Sequence, residues 1–256
     1  MLALFGHPGH ELLVGQLLAD TNATVCWLSD GSGGAQTDRS GYTRSLLADC
    51  ACAVGSVHGF ASDKAFYAAI MDGNAGFFDS AIEALEATIH ALRPSVILTD
   101  PMEYFNPLHD LANTVTDILI AKSARKPGLT IGKLVYANEY PEHFATEKPA
   151  ALRTLTAAEQ EEQMRRLAAY VPLHAEWRRM EQSGKLLSMD VERLYPDPLR
   201  FEDIPPASQT RFKSAYYEDY GRAAVAKGIY QSSLTFADHA LPFARQLVQR
   251  HLGTAQ

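Results

Sequence analysis

Leu2-Ala-Leu-Phe-Gly-His-Pro-Gly-His-Glu11 compresses a strand, a sharp turn and the start of a helix into one short stretch. Leu2 to Phe5 is an apolar run, and Gly6-His7-Pro8-Gly9 is the punctuation that ends a buried strand. From Glu11 to Leu18 the apolar residues fall at 12, 13, 14, 17 and 18, a helical stripe, and Glu11 puts negative charge where a helix N-terminus favours it. A strand that turns directly into a helix opens a βαβ unit, and ligands of such folds bind beyond the carboxyl ends of the strands. His7 and His10 stand there, three residues apart and braced by a proline and a glycine, so both rings can converge on one metal ion.

The alternation continues downstream. Ala23 to Leu28 reads as a second strand ending in the glycine-rich turn Ser29-Asp30-Gly31-Ser32-Gly33-Gly34. Residues 43 to 54 and 77 to 92 read as helices, Arg93-Pro94 precedes a strand over Val96 to Thr99, Asp100 to Pro107 is a loop, His109 to Ala121 a helix, and Leu134 to Ala137 a further strand. Beyond about residue 150 the strand signals stop, and helices are expected over 156 to 183, 207 to 227 and 237 to 251, capping one end of the sheet. The connector Tyr195-Pro-Asp-Pro198 with Ile204-Pro-Pro206 reads as a loop. The expected architecture is α/β and Rossmann-like: a mostly parallel sheet with helices on both faces, in one domain over 1–256, of which 150–256 is a mostly helical extension.

Composition narrows the function classes. The chain has 256 residues, 46% hydrophobic and 21% charged, the profile of a soluble globular domain, and contains no apolar stretch long enough to span a bilayer. The net charge of −7 lacks the basic footprint of nucleic-acid binding. Three cysteines, Cys26, Cys50 and Cys52, are too few for a disulfide framework, and no secretory signal precedes the first strand, so a reducing cytoplasm is expected. The expected partner is a small-molecule substrate, with no nucleic acid and no membrane, and a homo-oligomer stays open. Cys50-Ala-Cys52 reads as core packing, and Gly31 to Gly34 lacks the spacing of a dinucleotide or P-loop cradle. Tyr216, Tyr217 and Tyr220 either line a pocket or fill the core.

A second histidine loop, Asn106-Pro107-Leu108-His109-Asp110, follows the Val96 to Thr99 strand and opens at the same edge of the sheet as His7 and His10. His7, His10 and His109 are therefore the expected metal ligands. A lone histidine is more often a satisfied structural residue, and the other six are read that way, with His239 the one that could fold back over the site.

These residues resemble the zinc-dependent PIG-L/LmbE de-N-acetylases, which remove acyl groups from amino sugars and related amines. The likeness runs from residue 1 to about 120, through the His-Pro-x-x-Glu turn, Ser29-Asp30-Gly31, Arg93-Pro94 and the x-Pro-x-His loop. The family reads His-Pro-Asp-Asp-Glu at the first motif and His-x-Asp-His at the second. The resemblance implies that His7 and His109 are zinc ligands and that His10 replaces an aspartate ligand. It also implies that Gly9 replaces the general base and Asn106 an oxyanion-stabilising histidine. The implied activity is metal-dependent hydrolysis of an N-acyl bond on an amino sugar or specialised metabolite, as in natural-product biosynthesis, with Zn2+ as cofactor. Three neutral imidazoles leave the ion its full charge and lower the pKa of bound water to about 7. Glu11 is then either a proton acceptor, a first-turn helix charge or a partner to a ligand histidine. Asp30 is the other candidate acceptor, Asn106 still offers an amide to an oxyanion, and Asp110 reads as a turn or capping residue. Two alternatives remain: a non-hydrolytic metalloenzyme, since three histidines also suit Fe2+ or another transition metal, and a catalytically silent small-molecule binder.

Overall fold

The computed structural model describes residues 1–33, 37–137, 144, 147–182, 190–197 and 214–253. Its sheet follows from period-two alternation in the strands. In β1 (Leu2–Phe5) and β2 (Thr24–Ser29), Leu2, Leu4, Cys26 and Leu28 face one apolar layer, while Ala3, Phe5, Val25 and Trp27 face the other. Every one of these side chains is fully buried, and burying a residue such as Leu or Phe contributes about 1.5–3 kcal/mol. The first layer is closed by α4 (Asp79–Leu92), α5 (Pro107–Ala124) and α9 (Leu241–Leu252), through Ile82, Leu85, Val115, Ile118, Phe243 and Leu247. The second is closed by α1 (Gly15–Asp20), α2 (Ser40–Asp49) and α6 (Ala157–Ala169), through Leu17, Leu18, Leu46, Leu47 and Leu167.

With β3 (Ala53–Ala61), β4 (Val96–Thr99), β5 (Gly132–Tyr136), β6 (Ala151–Thr154) and β7 (Val191–Pro196), the sheet has the order β3-β2-β1-β4-β5-β7-β6. The first five strands in chain order are parallel, with β1 flanked by β2 and β4; β7 adds antiparallel to β5, and β6 antiparallel to β7. The expected α/β class, with helices on both faces, is the observed one. No described helix is long and apolar enough to cross a membrane.

Several boundaries differ from the sequence expectation, each for a local reason. The segment expected as one helix from Glu11 splits into a 3-10 turn over His10–Leu13 and α1, broken at Val14. The helix expected to run to residue 54 ends at Asp49; Ala51 turns with φ +53, and β3 begins two residues later. Half-exposed β3, with glycines at 55 and 59, carries no continuous apolar run for the eye to catch. α3 (Asp63–Met71) follows it, N-capped by Ser62.

The largest correction lies past residue 150, where β6 and β7 are strands in a region expected to be helical. Both are short; β6 alternates half-buried with exposed residues and β7 half-buried with buried ones, so the polar positions hide the pattern. Tyr195-Pro196 therefore closes a strand instead of lying in a loop. The helix expected over 156 to 183 is α6 and α7 (His174–Gln182), parted by a 3-10 turn at Val171–Leu173 that contains Pro172. α8 (Tyr216–Ala226) lies within the expected 207–227. Gly34, Pro198, Ile204-Pro-Pro206 and residues 183 and 207–213 fall outside the described residues.

Candidate metal centre

The strand order reverses around β1, whose sheet neighbours β2 and β4 lead away on opposite sides. That switch point leaves a crevice at the carboxyl ends of β1 and β4. His7 and His10 follow β1 directly. Asn106 N-caps α5, its Oδ1 accepting from Leu108 N at 2.9 Å, with Pro107 in the first turn; this sets His109 in that turn, facing the crevice. The ring centroids of His7, His10 and His109 lie 4.3, 4.4 and 4.7 Å apart pairwise, and one nitrogen from each lies within 4.8 Å of the others. His7 Nε2 and His109 Nε2 are 2.9 Å apart, the separation of two nitrogens bound to one zinc at about 2.0–2.1 Å and subtending about 90°.

His10 Nδ1 donates to Asp100 Oδ1 at 2.6 Å, which leaves its Nε2 lone pair for an ion. Burial pushes His7 down to about 4 and His10 down to about 3, and His109 also falls well below the ordinary imidazole range, chiefly by burial. With the imidazole neutral, the His10–Asp100 contact is an N–H given to the Asp100 carboxyl, whose pKa burial raises while the Tyr136 and Gly6 donors hold it down. Neutral, convergent imidazoles are what a divalent metal requires, and the three residues fit one.

Around this cluster the expected helpers fall in different places. Asn106 Nδ2 stands 3.4 Å from His7 Nε2, so its amide reaches the crevice. Glu11 is fully buried and turned into the fold: Oε1 accepts from the Thr43 hydroxyl at 2.5 Å and Oε2 from Gly9 N at 2.8 Å, and Thr43 meets Tyr170 Oη at 2.9 Å. Burial raises the Glu11 pKa. Asp30 Oδ1 accepts from Ser32 N and Asp63 N, bracing the glycine-rich turn. Asp110 Oδ1 accepts from Glu103 N and Tyr104 N, and burial raises its carboxyl to about 7. His239 Nδ1 is held by Thr235 within its own turn. Tyr217 is buried in the core, whereas Tyr216 stacks on Phe105 with ring centroids 4.5 Å apart and Tyr220 is exposed. Cys50 is buried and Cys52 half-buried, both as free thiols.

Gly9 has φ +112, a conformation costly for any side chain. A Cβ there would lie 2.6 Å from Leu173 Cδ1, because the Val171–Leu173 turn fills the space beside it. The position that carries an aspartate in the resembled family is therefore closed by backbone and by Leu173 alike.

Other residues of the site had no signal in the sequence. Asp100 accepts from Gly6 N at 2.6 Å and from Tyr136 Oη at 2.5 Å as well as from His10. Arg39 lowers the pKa of both His7 and His10 through its charge; its Nη2 bonds Glu176, and its buried Nη1 has no partner among the described residues. The field of Asp63 opposes this at His7. Asp63 Oδ2 accepts from Gly33 N at 2.8 Å, and buried Oδ1 has no partner among the described residues. An Arg or Asp in a turn is too common for sequence alone to single out these two.

No family model matches the sequence, and no curated protein matches it. Among solved structures, the chain is similar to the conserved protein TT1542 from Thermus thermophilus, at 16% identity and a TM-score of 0.50, over 82% of this chain and 98% of that one. It is also similar to a deacetylase in the biosynthesis pathway of teicoplanin, at 14% identity and a TM-score of 0.50, over 77% of this chain and 98% of that one. At these identities the likeness establishes a shared fold.

Proposed function

We propose that the chain is a divalent-metal-dependent hydrolase of the PIG-L/LmbE type that cleaves an N-acyl bond on an amino sugar or specialised metabolite. The observation that carries this reading is the convergence of three neutral imidazoles at the switch point of the sheet, with the Asn106 amide beside them. The teicoplanin-pathway deacetylase that shares the fold supports it. His7, His10 and His109 hold the metal, Zn2+ in the first instance. When bound, the ion supplies Lewis-acid polarisation of the scissile carbonyl and of water. Asn106 Nδ2 donates to the developing oxyanion, and Arg39 adds the positive charge that an amide lacks. Asp63 Oδ1, buried and without a partner among the described residues, accepts the proton in preference to Glu11, both of whose oxygens already hold donors.

The test is the metal content of the purified protein together with release of free amine from N-acetyl amino sugars. Near-stoichiometric zinc, with amine release abolished by His109→Ala, is the expected result. Amine release that survives His109→Ala, or protein that binds no divalent metal, overturns the reading.

The engaged state of Glu11 and Asp30 favours a second reading, in which the same centre holds Fe2+ or another transition metal and runs other chemistry, or binds a small molecule without turnover. Iron with oxygen-dependent turnover identifies the former, and metal with neither activity the latter.

A further inference from the structure

We infer that Asp100 and Tyr136 set the charge of the metal centre through His10, supplying from behind the imidazole the negative charge that a carboxylate ligand supplies directly. The inference rests on the metal-binding reading above. Its basis is an asymmetry among the three rings. His7 Nδ1 and His109 Nδ1 have no partner among the described residues, whereas His10 Nδ1 points at a fully buried carboxylate 2.6 Å away.

Asp100 is held on every side. Oδ2 accepts from Gly6 N at 2.6 Å, Oδ1 from Tyr136 Oη at 2.5 Å and from His10 Nδ1, and its backbone carbonyl from Asn113 Nδ2 at 2.8 Å. Three donors on two oxygens suit a carboxylate that only accepts. The approach to Gly6 is so close that a Cβ there would lie 3.1 Å from Asp100 Oδ2 and 2.7 Å from Leu108 O. The Tyr136 ring stands edge-on to Phe5, centroids 5.8 Å apart, with its hydroxyl aimed at Asp100.

Gly6, Asp100 and Tyr136 thus stand at the carboxyl ends of three adjacent strands, β1, β4 and β5. A carboxylate behind a ligand imidazole fixes its tautomer and makes its outer nitrogen a stronger donor. Tyr136 shares the same oxygen that receives the His10 proton, so it draws charge away from the imidazole and moderates the effect. The two residues therefore act on the metal with opposite sign.

That opposition makes the inference testable with the metal alone. Zn2+ dissociation constants are measured by chelator competition for the wild type, Asp100→Asn and Tyr136→Phe, and the visible absorption of each is recorded with Co2+ in place of Zn2+. Asp100→Asn is expected to weaken Zn2+ about 10–100-fold, and Tyr136→Phe to tighten it roughly severalfold, with the Co2+ bands displaced in opposite directions. A bracing role alone predicts that both variants weaken binding. Weakening by both, or failure of Tyr136→Phe to tighten, overturns the inference. Should Asp100→Asn fail to fold, as checked by circular dichroism, Tyr136→Phe decides by the sign of its effect. Wild-type protein that binds no Zn2+ removes the metal reading itself. A wild type that binds while the variants match it removes only the role of Asp100 and Tyr136.

Discussion

Gly9→Asp would restore the letter that the resembled family carries beside its ligands, and the structure predicts that it damages the protein. Gly9 has φ +112 and ψ −18, and left-handed backbone costs a residue with a Cβ about 1–2 kcal/mol. The new Cβ would lie 2.6 Å from Leu173 Cδ1, and overfilling a packed site costs about 1–3 kcal/mol more. The sum is about 2–5 kcal/mol, a large share of the roughly 5–15 kcal/mol by which a domain of this kind is stable. Urea unfolding of Gly9→Asp, Leu173→Ala and the double variant is the assay. Leu173 is buried and destabilising to truncate, so the informative quantity is the coupling between the two changes: about 1–3 kcal/mol in favour of the double variant, the overlap having been removed. The backbone term should remain in both variants substituted at position 9. If Gly9→Asp unfolds at the wild-type urea concentration and turns over faster, then neither φ nor Leu173 excludes a carboxylate here, and the reasoning fails.

Glu11→Gln should cost about 1–2 kcal/mol of stability, because the Thr43 hydroxyl can reverse toward Tyr170 and keep both bonds in neutral form; kcat per bound metal should hold. A drop in kcat of about a hundredfold, with stability and metal affinity intact, would instead make Glu11 the proton acceptor. His10→Asp places a second buried carboxylate close to Asp100, so it should bind Zn2+ more weakly than the double variant that also carries Asp100→Asn; equilibrium dialysis showing the reverse order refutes this. On acidification, the unfolded chain protonates its imidazoles near 6.5 while the buried rings refuse protons to about 4 at His7 and 3 at His10. Each of these two therefore withdraws about 1.4 kcal/mol per pH unit as pH falls through that window. Asp110 and Glu192, raised to about 7 by burial, act in the opposite sense, since their contribution is lost as pH rises from the ordinary carboxyl range toward 7. The two sets oppose one another in bulk unfolding, so NMR titration of the metal-free rings is the measurement: His7 or His10 titrating near 6.5 contradicts the buried neutral cluster.

The three histidines were legible because each lies within a few residues of a strand end or of the loop that follows it, and parallel strands deliver their ends to one edge of the sheet. Asp100 was not. In the sequence it is an aspartate opening a loop, and its role arises only because β4 lies beside β1, bringing it to Gly6 and His10 across 94 and 90 residues. Tyr136 depends in the same way on β5 lying next to β4. The missed strands β6 and β7 have another cause: strands at the sheet's margin with one polar face lack the apolar run by which buried strands are read. Leu173 at Gly9 joins residues from a helical region and the first turn, a pairing that no local pattern encodes.

The two departures from the first motif of the resembled family fall on neighbouring residues, and each has a fitted partner far away in the chain. Gly9 is matched by Leu173, which fills the space a side chain would take, and His10 is matched by Asp100, which meets its inner nitrogen. Decay of a disused site predicts something else: lost ligands and gaps left unfilled. Here the position that lost a carboxylate is packed, the ligand that lost its charge has a carboxylate behind it, and the amide at 106 still reaches His7. On the proposed metal-binding reading, such paired changes keep the centre and redistribute its charge. They also locate where the chemistry must differ. With position 9 closed, the proposed proton acceptor is Asp63, whose buried Oδ1 has no partner among the described residues.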